Sequence, residues 1–216
     1  MPLNWQIYTL DLASGTIKNI IFDLGGVLMD IDPQKTANKF AELSGTSPVD
    51  IIEIHNSNNF FKEYEKGLIC DQSFRDHIRS FLKVDLSDDT IDEVWGEMLS
   101  GFQKTKIELL NYAKTRYRIF LLSNTNNIHR IKFEKIFNEL TQTNIHDFFE
   151  NVHYSFEMHT RKPEPDIFNQ VIMENELRVD ETILIDDSLP NIETAEKLGL
   201  RICHVQINQA DIKIDF

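Results

Sequence analysis

A largely apolar run that ends in an aspartate and two glycines is the sequence feature that most constrains this fold. The run covers residues 17–24 and is followed by Gly25 and Gly26. It is too short to span a bilayer, and it is typical of a strand buried inside a parallel sheet. Asp23 would then lie at the carboxyl end of a strand, where open α/β sheets bind their ligands. Because glycines let the backbone turn sharply, we expect a carboxylate displayed beside bare backbone.

Strand and helix patterns alternate through the second half of the chain. Short apolar runs predict strands, and amphipathic segments between them predict helices. The strands are expected at residues 117–122, 152–156, 182–185 and 202–207, and the helices at 106–115, 128–140, 166–174 and 191–197. This alternation predicts an α/β fold with a doubly wound parallel sheet and right-handed crossovers.

A run of helices without a strong strand signal separates the first strand from the rest of this pattern. It follows the glycine turn directly, so we interpret it as an insertion that forms a helical lid over the site. The predicted domains are an α/β core, residues 1–32 and 102–216, and a helical cap, residues 33–101. Residues 6–10 fit either a short extra strand or a loose extension.

Composition narrows the class of function. The chain has 216 residues, of which 41% are hydrophobic and 26% charged, and its formal net charge is −13. A nucleic acid or an anionic membrane needs a basic face, so neither is an expected partner. Two cysteines form no disulfide framework, and no secretory signal pattern or membrane span is present. We therefore expect a cytoplasmic protein that is a monomer or a weak dimer.

Polar side chains follow four of the predicted strands. They are Asp23, Ser123, Lys162 a short loop past its strand, and the pair Asp186 and Asp187. A parallel sheet brings the carboxyl ends of its strands to one edge, so these residues should converge. Three carboxylates in one cleft repel each other and need cations. Lys162 supplies one positive charge, and Mg²⁺ is the natural second because it prefers carboxylates, water and phosphate oxygens.

The same edge offers ligands for a phosphate. The hydroxyl of Ser123 and the backbone amides beside Asn124 can form an anion-binding nest. Taken singly, these residues also fit a helix N-cap, a solvated turn and a surface lysine. A carboxylate that faces a metal-neutralised phosphate is the arrangement of enzymes that form an aspartyl-phosphate, and the combination favours that chemistry.

Four segments resemble the four motifs of the haloacid dehalogenase (HAD) superfamily. They are Phe22–Leu28, Leu121–Thr125, Arg161–Pro163 and Leu184–Asp187. The resemblance extends from about residue 17 to residue 207. It implies a Rossmann-like core with a C1-type helical cap inserted after the first motif, and a hydrolase that uses Mg²⁺.

The resemblance also implies a role for each matching residue. Asp23 would be the nucleophile, Ser123 would bind the phosphoryl oxygens with help from the backbone amide of Asn124, and Lys162 would hold both Asp23 and the phosphate. The implied Mg²⁺ site shares Asp23 with the catalytic set and takes further oxygens from Gly25, Asp186 and Asp187, with Asp187 favoured as the direct carboxylate ligand. Gly26 and the cap residue Glu65 complete the predicted substrate-binding set.

Gly25 departs from the usual phosphatase pattern. Most phosphatases of the family carry a second aspartate at this position, which protonates the leaving group and activates water. The Asp-Leu-Gly form is similar to that of a bacterial subgroup that includes glucose-1-phosphate phosphatases, and residues 64–69 are similar to the cap of that subgroup. A hemiacetal oxygen is a more acidic leaving group than a primary alcohol, so it depends less on the missing acid.

The favoured function is therefore a Mg²⁺-dependent phosphatase of a small phosphorylated metabolite, with a sugar 1-phosphate preferred. Two alternatives remain open. A 2-haloacid dehalogenase also uses an aspartate nucleophile but needs no metal, and a non-catalytic binding protein on the same scaffold would explain Gly25. Residues 56–65 fit equally a polar pocket with aromatic walls and packing between the cap helices.

Overall fold

The computed structural model describes residues 17–205, which include all four predicted motifs. The segment 6–10, predicted as an extra strand or an extension, lies outside the described residues, as do the outer ends of the predicted core domain. Within the described range, no helix is both long enough and apolar enough to cross a bilayer.

Five parallel strands form the central sheet, in the order β5-β4-β1-β6-β7. They are β1 (Asn19–Phe22), β4 (Arg118–Ser123), β5 (Asn151–Tyr154), β6 (Thr182–Asp186) and β7 (Arg201–His204). The predicted doubly wound parallel sheet is confirmed. β1 lies in the centre, paired with β4 on one side and β6 on the other. The chain order reverses at β1, so Asp23 emerges at the switch point where such sheets bind ligands.

Each face of the sheet carries its own apolar core because successive strand residues point to opposite faces. Phe22 packs on one face with Phe133, and Ile21 packs on the other with Phe168. The helices that cover the faces are α6 (Lys104–Ala113), α7 (Asn127–Thr141), α8 (Ile145–Phe148), α9 (Ser155–Met158), α10 (Pro165–Glu174) and α11 (Leu189–Lys197), with a 3₁₀ turn at Val179–Glu181. Burial on both faces explains the continuous apolar strands in the sequence.

Five helices lie between β1 and α6 in the chain, and we refer to Pro33–Trp95 as the five-helix segment. They are α1 (Pro33–Ser44), α2 (Pro48–Ser57), α3 (Asn59–Glu65), α4 (Asp71–Leu82) and α5 (Asp88–Trp95), followed by a 3₁₀ turn at Gly96–Met98. The predicted end of α1 and the predicted start of α5 both have capping residues in the structure. Gly45 ends α1 in the left-handed conformation, at φ 69°, and the hydroxyl of Ser87 accepts from the backbone N–H of Thr90 to cap α5. The segment has its own apolar cluster.

A small antiparallel pair, β2 (Met29–Ile31) and β3 (Leu99–Phe102), joins the two ends of the five-helix segment. The run of helices predicted over residues 33–101 ends before Leu99, where β3 begins. Both strands are very short, and β3 is only partly buried, so neither has the apolar alternation that identifies a strand.

Candidate active site

Lys162 lies at the centre of the site, between two of its carboxylates. Its side chain is 1% exposed, so the alternative of a surface lysine is wrong. The ammonium Nζ donates to Asp23 Oδ1 at 2.7 Å, to Asp186 Oδ2 at 2.7 Å and to the carbonyl of Leu122 at 2.9 Å. All three donors of the ammonium are therefore used, and two carboxylates from separate strands are held together.

Lys162 reaches this place by a longer path than expected. The helical turn α9 lies between β5 and the lysine, where we predicted a short loop. The side chain of Asn124 then fixes the backbone, because its Oδ1 accepts from the N–H of Lys162 and its Nδ2 donates to the carbonyl of Lys162, both at 2.9 Å. Asn124 thus positions the lysine through its side chain, in addition to the backbone role predicted for it.

Burial and the charges of neighbouring groups shift the pKa values of the site. Burial raises the pKa of Asp23 to about 7, against the lowering effect of Lys162, and Asp186 adds to the rise. Burial also raises the pKa of Asp187, again with help from Asp186. Burial alone would lower the pKa of Lys162, but the two carboxylates that face it outweigh this effect and raise it. A further cation in the cleft would therefore stabilise the ionised forms of the carboxylates.

The two adjacent aspartates after β6 have different surroundings. Asp186 is fully buried, and its Oδ1 accepts from the N–H of Ser188 at 2.8 Å and from Asn191 Nδ2 at 2.9 Å, while Oδ2 faces Lys162. Asp187 is half-buried and lies against Gly26, whose φ is 76°. A Cβ on Gly26 would overlap Asp187 Oδ2, so only glycine fits there.

The donor set fits a divalent cation. Asp23, Asp186 and Asp187 each offer a carboxylate oxygen, and these oxygens lie within 4.8 Å of one another. Hard oxygen ligands of this kind suit Mg²⁺, which is bound by one or two carboxylates and completes its shell with water and phosphate. Since both oxygens of Asp186 already have protein partners, Asp187 and Asp23 are the better placed to bind an ion.

The predicted phosphate nest lies at the start of a helix. Ser123 is the last residue of β4 and is buried, and α7 begins four residues later with Asn126 as its N-cap. Free backbone N–H groups and the positive end of the helix dipole favour an anion at such a place. The ammonium of Lys162 donates to the carbonyl of Leu122, the residue before Ser123, so Ser123 and Lys162 lie at the same end of the cleft.

Gly25 faces an apolar side chain. A Cβ at this position would lie 3.3 Å from Ile31 Cδ1, which is closer than an ordinary contact. Ile31 belongs to β2 and is 42% exposed, so it can move aside. The structure thus places hydrocarbon beside the position where the family pattern usually has an acidic side chain.

Glu65 lies where the five-helix segment touches the sheet domain. Its Oε2 accepts from Arg161 Nε at 2.8 Å, and its backbone carbonyl accepts from the hydroxyl of Ser155 at 2.6 Å. Arg161 directly precedes Lys162 in the chain. Glu65 therefore reaches the edge of the cleft, with its charge already paired.

A chamber of about 290 Å³ extends from this cleft into the five-helix segment. Gly25, Ser123 and Asn124 border one end of it, and Phe61 and Glu65 lie along its wall. Tyr64 instead packs between helices, 2% exposed and stacked on Phe74 at 4.3 Å. Within residues 56–65, Phe61 and Glu65 border the chamber and Tyr64 packs between helices, so the described side chains of this segment do not form the polar pocket that was one of the two alternatives.

Sequence reasoning missed three supporting residues. Asn191 and Arg161 position Asp186 and Glu65, and Trp95 borders the chamber. Asn191 lies in the first turn of a helix and Arg161 beside a motif lysine, where a polar residue is usually exposed. No pattern in the sequence marked Asn191 as a site residue, and Arg161, although it begins the third matching segment, was given no role.

The sequence pattern of the haloacid dehalogenase-like hydrolases matches residues 20–205. This range includes the five strands of the sheet, apart from the first residue of β1, and all the residues of the cleft. The chain belongs to the haloacid dehalogenase-like hydrolases. The family resemblance of the four motifs is confirmed.

Relatives of this HAD protein agree with the assignment. A D-ribitol-5-phosphate phosphatase of Bacteroides thetaiotaomicron is 26% identical over 85% of this chain and 89% of its own length. A HAD family enzyme of the same organism, solved in complex with magnesium and inorganic phosphate, is 34% identical, with a TM-score of 0.83 over 89% of this chain and 96% of that one. A HAD-like hydrolase of Porphyromonas gingivalis is 28% identical, with a TM-score of 0.82 over 90% and 94%.

The L-2-haloacid dehalogenase of Xanthobacter autotrophicus is more distant. It is 16% identical, with a TM-score of 0.61 over 88% of this chain and 77% of that one. At this identity the likeness concerns the fold alone.

Proposed function

We propose that this HAD protein is a Mg²⁺-dependent phosphatase that hydrolyses a small phosphorylated metabolite through an aspartyl-phosphate on Asp23. The observation that carries the proposal is the cluster at the switch point of the sheet. A buried carboxylate, a buried ammonium and a second carboxylate that can bind a metal meet there, beside the residues predicted to form a phosphate nest. The names of the phosphatase relative and of the magnesium and phosphate complex support it.

Asp23 acts as the nucleophile in this proposal. Lys162 binds one carboxylate oxygen and orients the side chain, so the other oxygen can attack phosphorus in line with the ester oxygen. The P–O ester bond breaks, and the alcohol leaves with the bonding electron pair and takes a proton from water. Water then attacks phosphorus, which releases inorganic phosphate and restores Asp23.

The positive groups hold the phosphoryl oxygens. The hydroxyl of Ser123 and the N-terminus of α7 would contact the phosphate, and the ammonium of Lys162, whose three N–H groups are bound within the protein, would act on it through its charge. Mg²⁺, held by Asp23, Asp187 and the carbonyl of Gly25, would supply positive charge to the phosphate. Asp186 keeps Lys162 in place, and Gly26 leaves room for Asp187.

The absence of an acidic side chain at position 25 sets the expected order of substrates. General-acid help is typically worth about 10²–10⁴-fold, so esters with acidic leaving groups lose least without it. We therefore propose that a sugar 1-phosphate, whose leaving oxygen is a hemiacetal, is a better substrate than a sugar phosphorylated on a primary alcohol. Acetyl phosphate, whose leaving group is a carboxylate, should also be hydrolysed.

Phosphate release from acetyl phosphate, glucose 1-phosphate, glucose 6-phosphate and D-ribitol 5-phosphate tests this function, each with Mg²⁺ and with EDTA. We expect turnover with Mg²⁺ alone, and a higher kcat/KM for glucose 1-phosphate than for glucose 6-phosphate. Chloride release from 2-chloropropionate in EDTA would instead support a dehalogenase. No turnover of any compound would support a binding protein.

A further inference from the structure

The chamber beside Ser123 is lined chiefly by hydrocarbon. Phe40, Phe61, Ile78 and Trp95 form much of its depth, and all four are at least nine-tenths buried. A bound sugar or polyol would bury several hydroxyls against these walls, and each hydroxyl without a partner would oppose binding. The lining therefore favours a leaving group with apolar faces.

Several polar side chains in this lining already have partners within the protein. The hydroxyl of Thr36 donates to the carbonyl of Val94 at 3.0 Å and accepts from the N–H of Met98 at 3.0 Å. The Oε2 of Glu65 is paired with Arg161. These groups can offer a ligand little without losing a contact that they make within the protein.

His129 is engaged at both ring nitrogens. Burial lowers its pKa to about 4, so the ring is neutral at physiological pH. Its Nε2 lies 3.0 Å from the carbonyl of Trp95, which can only accept, so Nε2 carries the proton. Its Nδ1 then accepts from Asn126 Nδ2 at 3.2 Å. The ring therefore has neither a free donor nor a free acceptor for a ligand.

Trp95 is the exception. Among the described residues, its Nε1 is the one buried side-chain polar atom without a hydrogen-bond partner. The indole is stacked on His129, with ring centroids 4.9 Å apart and planes at 11°, and on Phe61 at 5.8 Å and 24°. Stacking fixes the ring, and a buried N–H without a partner is costly unless a ligand satisfies it. Trp95 borders the chamber, so a ligand that lies there is the nearest outside partner for this N–H, which neighbouring side chains cover in this structure.

We propose that the chamber holds the leaving group of the substrate, that this group is an aromatic or heteroaromatic ring with a hydrogen-bond acceptor, and that Trp95 Nε1 donates to that acceptor. The inference rests on the proposed phosphatase function and narrows its substrate class. The phosphate would lie at Ser123, and the ring would extend between Phe61 and Ile78 into the five-helix segment. Trp95 is then a specificity-determining residue that does not touch the phosphate.

The apolar contact of Gly25 agrees with this substrate class. Ile31 also lines the chamber, so the entrance next to the phosphate is hydrocarbon rather than acidic. A phenolic oxygen is more acidic than a primary alcohol and leaves with less help from an acid. The lining and the lack of an acid therefore point independently to the same kind of ester.

Substrates with matched leaving groups test the lining in the wild-type protein. Benzyl phosphate and glucose 6-phosphate are both esters of primary alcohols, so they differ mainly in the polarity of the group that enters the chamber. We expect kcat/KM with Mg²⁺ to be about 100-fold higher for benzyl phosphate, since the hydroxyls of the sugar would lack partners. Equal values, or a preference for glucose 6-phosphate, would overturn the proposal.

The acceptor is tested with two ring isosteres. The 3- and 4-pyridylmethyl phosphates have the shape of benzyl phosphate with a nitrogen acceptor in the ring. In Trp95→Phe, which keeps an aromatic ring without the N–H, we expect the preference for the better pyridyl ester over the benzyl ester to fall about 5–10-fold, as for one lost hydrogen bond. Phe74→Leu, which changes a ring neighbour of Trp95 outside the chamber lining, should keep that preference.

The outcomes separate this proposal from the function on which it rests. Hydrolysis of acetyl phosphate together with poor use of benzyl phosphate would overturn the aromatic leaving group and leave the phosphatase intact. No hydrolysis of any ester or of acetyl phosphate would overturn both. An unchanged pyridyl preference in Trp95→Phe would overturn the role of the indole N–H. If that variant does not fold, the wild-type comparison still decides the substrate class.

Discussion

The protein environment opposes the ionisation of Asp23. It is 8% exposed, and the ammonium of Lys162 is its hydrogen-bond partner at 2.7 Å. Burial and the neighbouring Asp186 raise its pKa to about 7, so ionised Asp23 makes the folded state less stable at neutral pH. Such a residue is retained for chemistry rather than for stability.

We expect Asp23→Asn to abolish phosphate release and to keep or raise the melting temperature. The amide cannot act as a nucleophile, and it removes one of the repelling carboxylates while Lys162 keeps Asp186 as its partner. Phosphate assays and thermal unfolding measure the two effects. Asp180→Asn, at an exposed carboxylate paired with Arg178, should change neither. Turnover in pure Asp23→Asn would rule out the aspartyl-enzyme mechanism.

Gly25→Asp should increase kcat/KM for glucose 6-phosphate about 10–100-fold and change glucose 1-phosphate less. The new carboxyl group could protonate the poorer leaving group, once Ile31 yields the few tenths of an ångström that a Cβ requires. Gly25→Asn has nearly the same size and cannot donate an acidic proton, so it is the matched control. An equal gain for both sugars, or a gain in Gly25→Asn, would contradict the leaving-group explanation.

Helix α7 connects the cleft to the five-helix segment. Its N-cap, Asn126, follows Ser123 and Asn124, and its first turn carries His129, which stacks on Trp95 and donates to the carbonyl of Trp95. One helix end thus lies beside the phosphate nest and also fixes the ring that borders the chamber. The neutral state of His129 is part of this packing.

We expect His129 to make the folded protein less stable as the pH falls from about 6.5 to about 4. The pKa of His129 is about 4 in the folded protein and 6.5 for an ordinary histidine, which represents the unfolded chain. In this range the unfolded chain therefore takes up a proton that the folded chain does not. The loss approaches ~3 kcal/mol at the lower end. Urea unfolding at pH 7.0, 5.5 and 4.5 measures it.

His129→Gln is the comparison for that measurement. It cannot take up a proton, so its free energy of unfolding should depend less steeply on pH by up to one proton, whatever its stability at pH 7.0. Between pH 7.5 and 9 the two slopes should agree. Parallel curves below pH 6.5 would show that His129 is protonated in the folded protein too.

The whole molecule is strongly acidic, with a formal net charge of −13, and three of its carboxylates lie together in the cleft beside one lysine. A cation that binds the folded state and not the unfolded chain stabilises the protein by mass action. The binding of Mg²⁺ in the cleft should therefore be measurable as a gain in stability as well as through activity.

The predictions of a cytoplasmic location and of a monomer or weak dimer stay predictions, as does the division into core and cap.

We expect Mg²⁺ to raise the melting temperature by several degrees and EDTA to abolish phosphate release. Saturation at about 100 times the dissociation constant adds ~2.7 kcal/mol, and each kcal/mol shifts the melting temperature of a chain of this size by about 2–4 °C. In Asp187→Ala, Mg²⁺ should neither raise the melting temperature nor support phosphate release. Sodium sulfate at the same ionic strength controls for general salt effects. Full activity in EDTA would favour the dehalogenase alternative.

The sequence alone determined the features that depend on local patterns. Continuous apolar runs predict buried parallel strands, and the order of strands and helices predicts a doubly wound sheet, since a crossover between parallel strands has one favoured hand. Asp23, Ser123 and Asp186 end such strands, so their convergence followed from the sheet. The ends of α1 and α5 followed from Gly45 and Ser87, because caps act within one turn.

Only the tertiary structure decided what depends on contacts between distant residues. Lys162 is buried between Asp23 and Asp186, and the side chain of Asn124 hydrogen-bonds the backbone of Lys162. These contacts join segments that are far apart in the chain. The unpartnered Nε1 of Trp95 is likewise a property of its surroundings. Burial and hydrogen bonding are set by which neighbours the fold supplies, and a sequence pattern carries no distance between them.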